Sequence, residues 1–198
     1  MRRRRLILLL VAASIAAFLV FGGAASAGRY VTPAVMMDVE ILGPHDSEIS
    51  GEMVQNVWRW YGIPTNVTLA IVGAETSMGD PELGGELVDH FNYGCLRYGV
   101  GGVRVSELAS GHVTVRGVEW WSFPDMRTGM MALGRYLKLG PMSNPGYYRQ
   151  CFRSTDWAPA FAAVYYGAEV PGYWSYVAEL RTIDARVTTI ARTNGYLW

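Results

Sequence analysis

The residues that most constrain the fold are 67–78, Val-Thr-Leu-Ala-Ile-Val-Gly-Ala-Glu-Thr-Ser-Met. Nearly every position is small or apolar, so a helix built from them is apolar all round and belongs inside a domain. The turn Ile63-Pro64-Thr65-Asn66 precedes it, where Thr65 or Asn66 can cap its first turn, and Gly79 follows it. Glu75, in the last turn, is out of keeping with the rest. Burying an ionised carboxyl is costly unless it is paired. The alternative to pairing is a raised pKa and a retained proton, which is the state a general acid needs near neutral pH. The same helix therefore predicts the centre of the core and a candidate catalytic group.

The other elements arrange themselves around it. Ser50-Gly51-Glu52-Met53 opens an earlier helix whose Met53, Val54, Val57, Trp58 and Tyr61 share one face, and Gly62 ends it. Residues 79–102 are glycine-rich without a period and read as a structured loop. Val103-Arg104-Val105 and Val113-Thr114-Val115-Arg116, around a polar turn at Ser110-Gly111-His112, read as a β-hairpin. Asp125 can cap a helix over 126–139 that stops at Gly140-Pro141. Two more helices are expected over 157–166 and 173–191, the second with Val177, Leu180, Ile183, Val187 and Ile190 at helical spacing. Helices flanking one small hairpin make an α+β fold, mainly helical.

The ends and the composition bound the setting. Arg2 to Arg5, an apolar run over 6–21 and Ala25-Ser26-Ala27 have the anatomy of a secretory signal peptide, so a secreted or cell-envelope protein is expected, beginning near Gly28. The rival is an uncleaved anchor, since 6–27 is uncharged and long enough to span a bilayer; membrane contact is expected only through that segment. The domain organisation expected is a signal peptide over 1–27, an irregular lead-in over 28–48 and one domain over 49–198. The whole chain has 17 basic and 17 acidic residues; four arginines leave with the signal, so 13 basic residues remain against 17 acidic ones. No basic face is visible, and nucleic acid is not an expected partner. His45, His90 and His112 have no metal-ligand spacing, so no metal is expected. Cys95 and Cys151 are expected to pair as a disulfide in an oxidising compartment, with two free thiols as the alternative. Closing that loop would add about 3 to 4 kcal/mol.

Residues 63–79 resemble the catalytic helix of the glucosaminidase family of peptidoglycan hydrolases, in which a proline-led turn precedes a small, apolar helix ending in Glu-Ser or Glu-Thr with a glycine a few residues on. Asn92-Tyr93-Gly94-Cys95-Leu96 is similar to the family's Asn-x-Phe-Gly-Ile segment below that helix. Ser106-Glu107, with Gly111 after it, resembles the Thr-x-Glu strand leading into the family's β-lobe. Residues 120–125 take the place of an aromatic, arginine and tyrosine segment, with Trp121 where the arginine is expected. Tyr176-Val177-Ala178-Glu179-Leu180 resembles the Tyr-Ala-x-Lys-Leu of the last family helix.

The resemblance implies a lysozyme-like domain with a small β-hairpin lobe. It implies an exported enzyme, without cofactor, that cleaves β-1,4 bonds of peptidoglycan glycan strands beside N-acetylglucosamine. Glu75 would be the general acid and Glu107 the second carboxyl that glycoside hydrolysis usually needs, with Glu119 and Asp125 as alternatives. Asn92, Tyr93, Trp120 and Tyr176 would line the substrate groove, with Tyr176 ordering water or the acetamido group. Aromatic faces suit sugar rings, and Trp121, Tyr165, Tyr166, Tyr173 and Trp174 are further candidates. Two other readings stay open: a lytic transglycosylase using Glu75 alone, and a catalytically inactive glycan-binding or structural domain of an envelope assembly.

Overall fold

The computed structural model describes residues 32–80, 82, 84–100 and 103–196. The expected signal peptide, its cleavage site and the start of the lead-in lie outside the described residues. Among the described residues no helix is long and apolar enough to cross a membrane.

Over the described residues the protein is mainly helical with one two-stranded antiparallel sheet, an α+β arrangement. In chain order the elements are α1 (Pro33–Met37), α2 (Gly51–Tyr61), α3 (Thr65–Thr76), α4 (Val103–Ser106), β1 (Gly111–Val115), β2 (Val118–Ser122), α5 (Met126–Leu139), α6 (Tyr147–Cys151), α7 (Ala158–Ala162) and α8 (Tyr173–Thr193). Nine of the 12 residues of α3 are buried, and it packs chiefly on α8, so it is the central helix. Full burial of Leu69, Ile71 and Val72 contributes about 1.5 to 3 kcal/mol each. Gly73 permits the close approach to α8, because a Cβ there would lie 2.9 Å from Ile183 Cδ1.

The expected caps form at two helix starts: Ser50 accepts from the Met53 amide at the head of α2, and Asp125 from the Thr128 amide at the head of α5. At α3 no side chain caps. Pro64 leads in, Thr65 is buried, and the Asn66 amide donates to Asp184 Oδ1 on α8 at 2.6 Å.

Three expectations are corrected. The lead-in is not irregular: α1 runs on into a π turn (Asp38–Leu42) and a 3₁₀ turn (Gly43–His45), and Met36, Met37, Ile41 and Leu42 are core residues. Its apolar residues are too few for a long stripe but fall on one side of a short helical path. The segment also steadies the end of α3, since the Ser47 hydroxyl donates to the Met78 carbonyl at 2.5 Å. The hairpin is shifted: 103–106 is a single helical turn, and β1 pairs with β2 through Val113 opposite Trp120. Arg116 and Gly117, at φ 52° and 78°, make the tight turn, the left-handed geometry that two-residue hairpin loops require. Finally, Cys95 and Cys151 are free thiols rather than a disulfide. Cys151 ends α6 among Tyr147 and Tyr148, whereas Cys95 belongs to the loop under α3.

Candidate active site

Two cavities meet at the end of α3. One, of about 380 Å³, is lined by Glu75, Cys95, Arg97, Trp120, Tyr166 and Val170 among others. The second, of about 410 Å³, shares Glu75, Cys95 and Trp120 and extends past Gly84, Glu86 and Arg116. Glu75 therefore sits at the junction of two chambers that run from the tyrosines after α7 to the hairpin turn.

The helix end is built to present this one side chain. Ser77 and Met78 adopt φ of 50° and 66°, which turns the chain sharply away after Thr76. Such left-handed residues cost energy for non-glycine side chains. The Thr76 hydroxyl donates back to the Val72 carbonyl at 2.9 Å. Below Glu75, the Tyr176 hydroxyl on α8 donates to its Oε1 at 2.5 Å, and the Cys95 thiol lies against its backbone carbonyl at 3.5 Å. Tyr176 is in turn stacked on Tyr166, with ring centres 4.8 Å apart.

Burial pushes the Glu75 carboxyl from its ordinary 4.5 up to about 7. The Tyr176 and Cys95 hydrogen bonds pull the other way by favouring the ionised form, and the nearby Glu179 adds a small upward push. Desolvation wins because the carboxyl has no cationic partner among the described residues. Cys95 is also enclosed, which drives its thiol pKa far up, with the Glu75 charge acting in the same direction. It is an uncharged wall of the site and a poor nucleophile.

The expected site residues divide into two groups. Glu75, Trp120 and Tyr176 come together at the groove. Asn92 is fully buried and structural: its amide donates to the Leu96 and Trp121 carbonyls, and its oxygen accepts from the Leu96 amide. Those bonds fasten residues 92–96 to β2 and so place Cys95 beneath Glu75. Tyr93 is also fully buried, with its ring in the core rather than in the groove. Glu107 lies in neither chamber; it forms an exposed ion pair with Arg135 at 2.7 Å. The other carboxyl lining the groove is Glu86, an exposed residue of the 79–102 loop.

Arg97 was not foreseen as a site residue. Residues 96–98 form an extra edge on β2, with the Trp121 amide donating to Leu96 and the Tyr98 amide to Glu119. This register sets the Arg97 guanidinium 5.5 Å over the Trp120 ring. A glycine-rich stretch without periodicity carries no local signal for such an edge.

Among the described residues no group of three or more His, Cys, Asp or Glu side chains could hold a metal ion. His112 lies beside Glu119 at 3.4 Å on the hairpin surface. No protein-family model matches the chain, and no curated protein or solved structure matches it either.

Proposed function

We propose that this chain is an exported glycosidase of the bacterial cell wall, a lysozyme-like domain that cleaves β-1,4 bonds of peptidoglycan strands with Glu75 as general acid. The observation that carries this reading is the Glu75 carboxyl, without a salt-bridge partner among the described residues, at the junction of two open chambers and held partly protonated near neutral pH. A chamber on either side suits a polymer threaded past the acid, with the scissile oxygen above Glu75. Proton transfer to that oxygen releases one half of the strand.

The ion pair that removes Glu107 from the groove favours one variant of the chemistry. With a single enclosed carboxyl, the sugar's own substituent supplies the nucleophile, as in a lytic transglycosylase. Release of soluble fragments from purified peptidoglycan tests the main reading. Wild-type protein is expected to release them, and Glu75→Gln to lose about 100-fold or more, the usual contribution of a positioned general acid. Products lighter by one water indicate the transglycosylase variant. Glycan binding without any release overturns the enzyme reading and leaves a binding domain.

A further inference from the structure

The chamber that contains Arg97 has an uneven supply of hydrogen-bonding groups. Its tyrosine hydroxyls are engaged within the protein. Tyr165 donates to the Gly94 carbonyl, Tyr166 to the Pro171 carbonyl at 3.2 Å, and Tyr136 pairs with Tyr148 at 3.2 Å. Two side chains on one wall have no hydrogen-bond partner among the described residues. The Trp120 indole N–H is buried and unpartnered. Arg97 is exposed and forms no ion pair among the described residues, and its guanidinium lies 5.5 Å from the Trp120 ring centre. The enclosed indole N–H is out of a ligand's reach, so the donor on offer is Arg97, a permanent cation. Among the described residues the only carboxyl lining this chamber is Glu75 itself, whereas the second chamber has Glu86 and Arg116. The Arg97 guanidinium, 5.5 Å from the centre of the indole, carries N–H groups in a fork that can match a carboxylate.

We infer that the Arg97 and Trp120 wall is an anion subsite, which takes a hexosamine bearing a carboxylate and so sets the direction in which a strand lies across Glu75. In a strand of alternating sugars whose stem peptides have been removed, this is the residue whose lactyl ether ends in a free carboxylate, N-acetylmuramic acid, and its neutral neighbour falls in the chamber of Gly84 and Arg116. This inference deepens the glycosidase reading and rests on it for the identity of the polymer. Arg97 supplies the charge and Trp120 holds it in place; neither moves a proton.

The test is equilibrium binding by the full exported chain of one disaccharide, N-acetylglucosamine joined to N-acetylmuramic acid. It is offered as the free acid and as the methyl ester of the lactyl carboxyl. The acid is expected to bind roughly fivefold tighter, since an exposed charge pair is worth only a modest amount, and the preference should shrink as salt is raised. Arg97→Gln, which keeps a stem over the indole, is expected to bring acid and ester within about twofold by weakening binding of the acid. If Arg97→Gln does not fold, the wild-type acid-to-ester ratio and its salt dependence decide alone. Equal binding of acid and ester, no binding of either, or a preference that survives Arg97→Gln overturns the inference. Selective binding of the acid without any cleavage of strands would instead overturn the glycosidase reading and leave the subsite standing.

Discussion

The end of α3 and the approach to the hairpin each carry a glutamate, and the two are held in opposite ways. Glu75 is held by Tyr176 and Cys95 with no salt-bridge partner among the described residues, and burial raises its pKa to about 7. Glu107 is 55% exposed and paired with Arg135. Glu119 on β2 likewise meets His112 in the open, at 3.4 Å. The carboxyls are chemically the same. What separates them is how far water reaches them: the core leaves Glu75 only partly exposed, whereas Glu107 and Glu119 stand in solvent and their pairs are weak.

Activity offers the largest contrast. Glu75→Gln should lower fragment release by about 100-fold or more, and Glu107→Gln should change it by less than about twofold. Equal losses in the two variants would erase the distinction.

Stability against pH comes next, at about 3 kcal/mol. The folded pKa of Glu75 lies above its ordinary value, so this group's contribution is fully present below pH 4.5 and is lost as pH rises through about 7. Glu75→Gln should therefore unfold at a higher temperature than wild type at pH 8, by the equivalent of about 3 kcal/mol, and the gap should close near pH 4. A gap independent of pH would mean that the carboxyl is not desolvated.

A smaller effect is expected at Tyr176→Phe. Its hydroxyl favours the ionised form of Glu75, so removing it should move the alkaline limb of the rate profile up by about one pH unit. An unmoved limb would detach Tyr176 from the acid. The smallest effect belongs to Arg135→Ala, which should cost under about 1 kcal/mol in denaturant unfolding because its pair with Glu107 is exposed.

Much of the helical frame was legible because its signals are local. Ser50, Gly62, Asp125 and Gly140 bound two helices as capping chemistry requires. The all-round apolarity of 67–78 identified the central helix, and its one acid stood out against it. Tyr176 was found only through the resemblance, since a tyrosine at the start of a long helix is otherwise unremarkable. What was not legible depends on pairing across distance. Val103-Arg104-Val105 has strand-like residues but is too short to compete with a helical turn, while the Arg116-Gly117 turn that sets the true register was passed over. Asn92 and Tyr93 read as groove residues, yet both face inward, one to fasten a loop and the other to fill the core. The cysteine pair was inferred from the expected compartment, and the fold places the two thiols in different surroundings.

After α7 the chain runs for five residues as a π turn, Ala163–Gly167, which contains Tyr165 and Tyr166. A π turn amounts to one residue inserted into an α-helix, and such insertions recur at functional sites. Both neighbouring tyrosines line the groove, one anchored to the Gly94 carbonyl and the other stacked on the tyrosine that supports Glu75. This wall is therefore set by a count of residues as well as by their identity. Deleting Val164, an exposed side chain, would return the segment to α spacing and swing whatever follows by about 100° around the axis. A substitution at the same position would leave both tyrosines where they are. Homologous chains should accordingly vary freely in the side chain here while keeping the length of the turn.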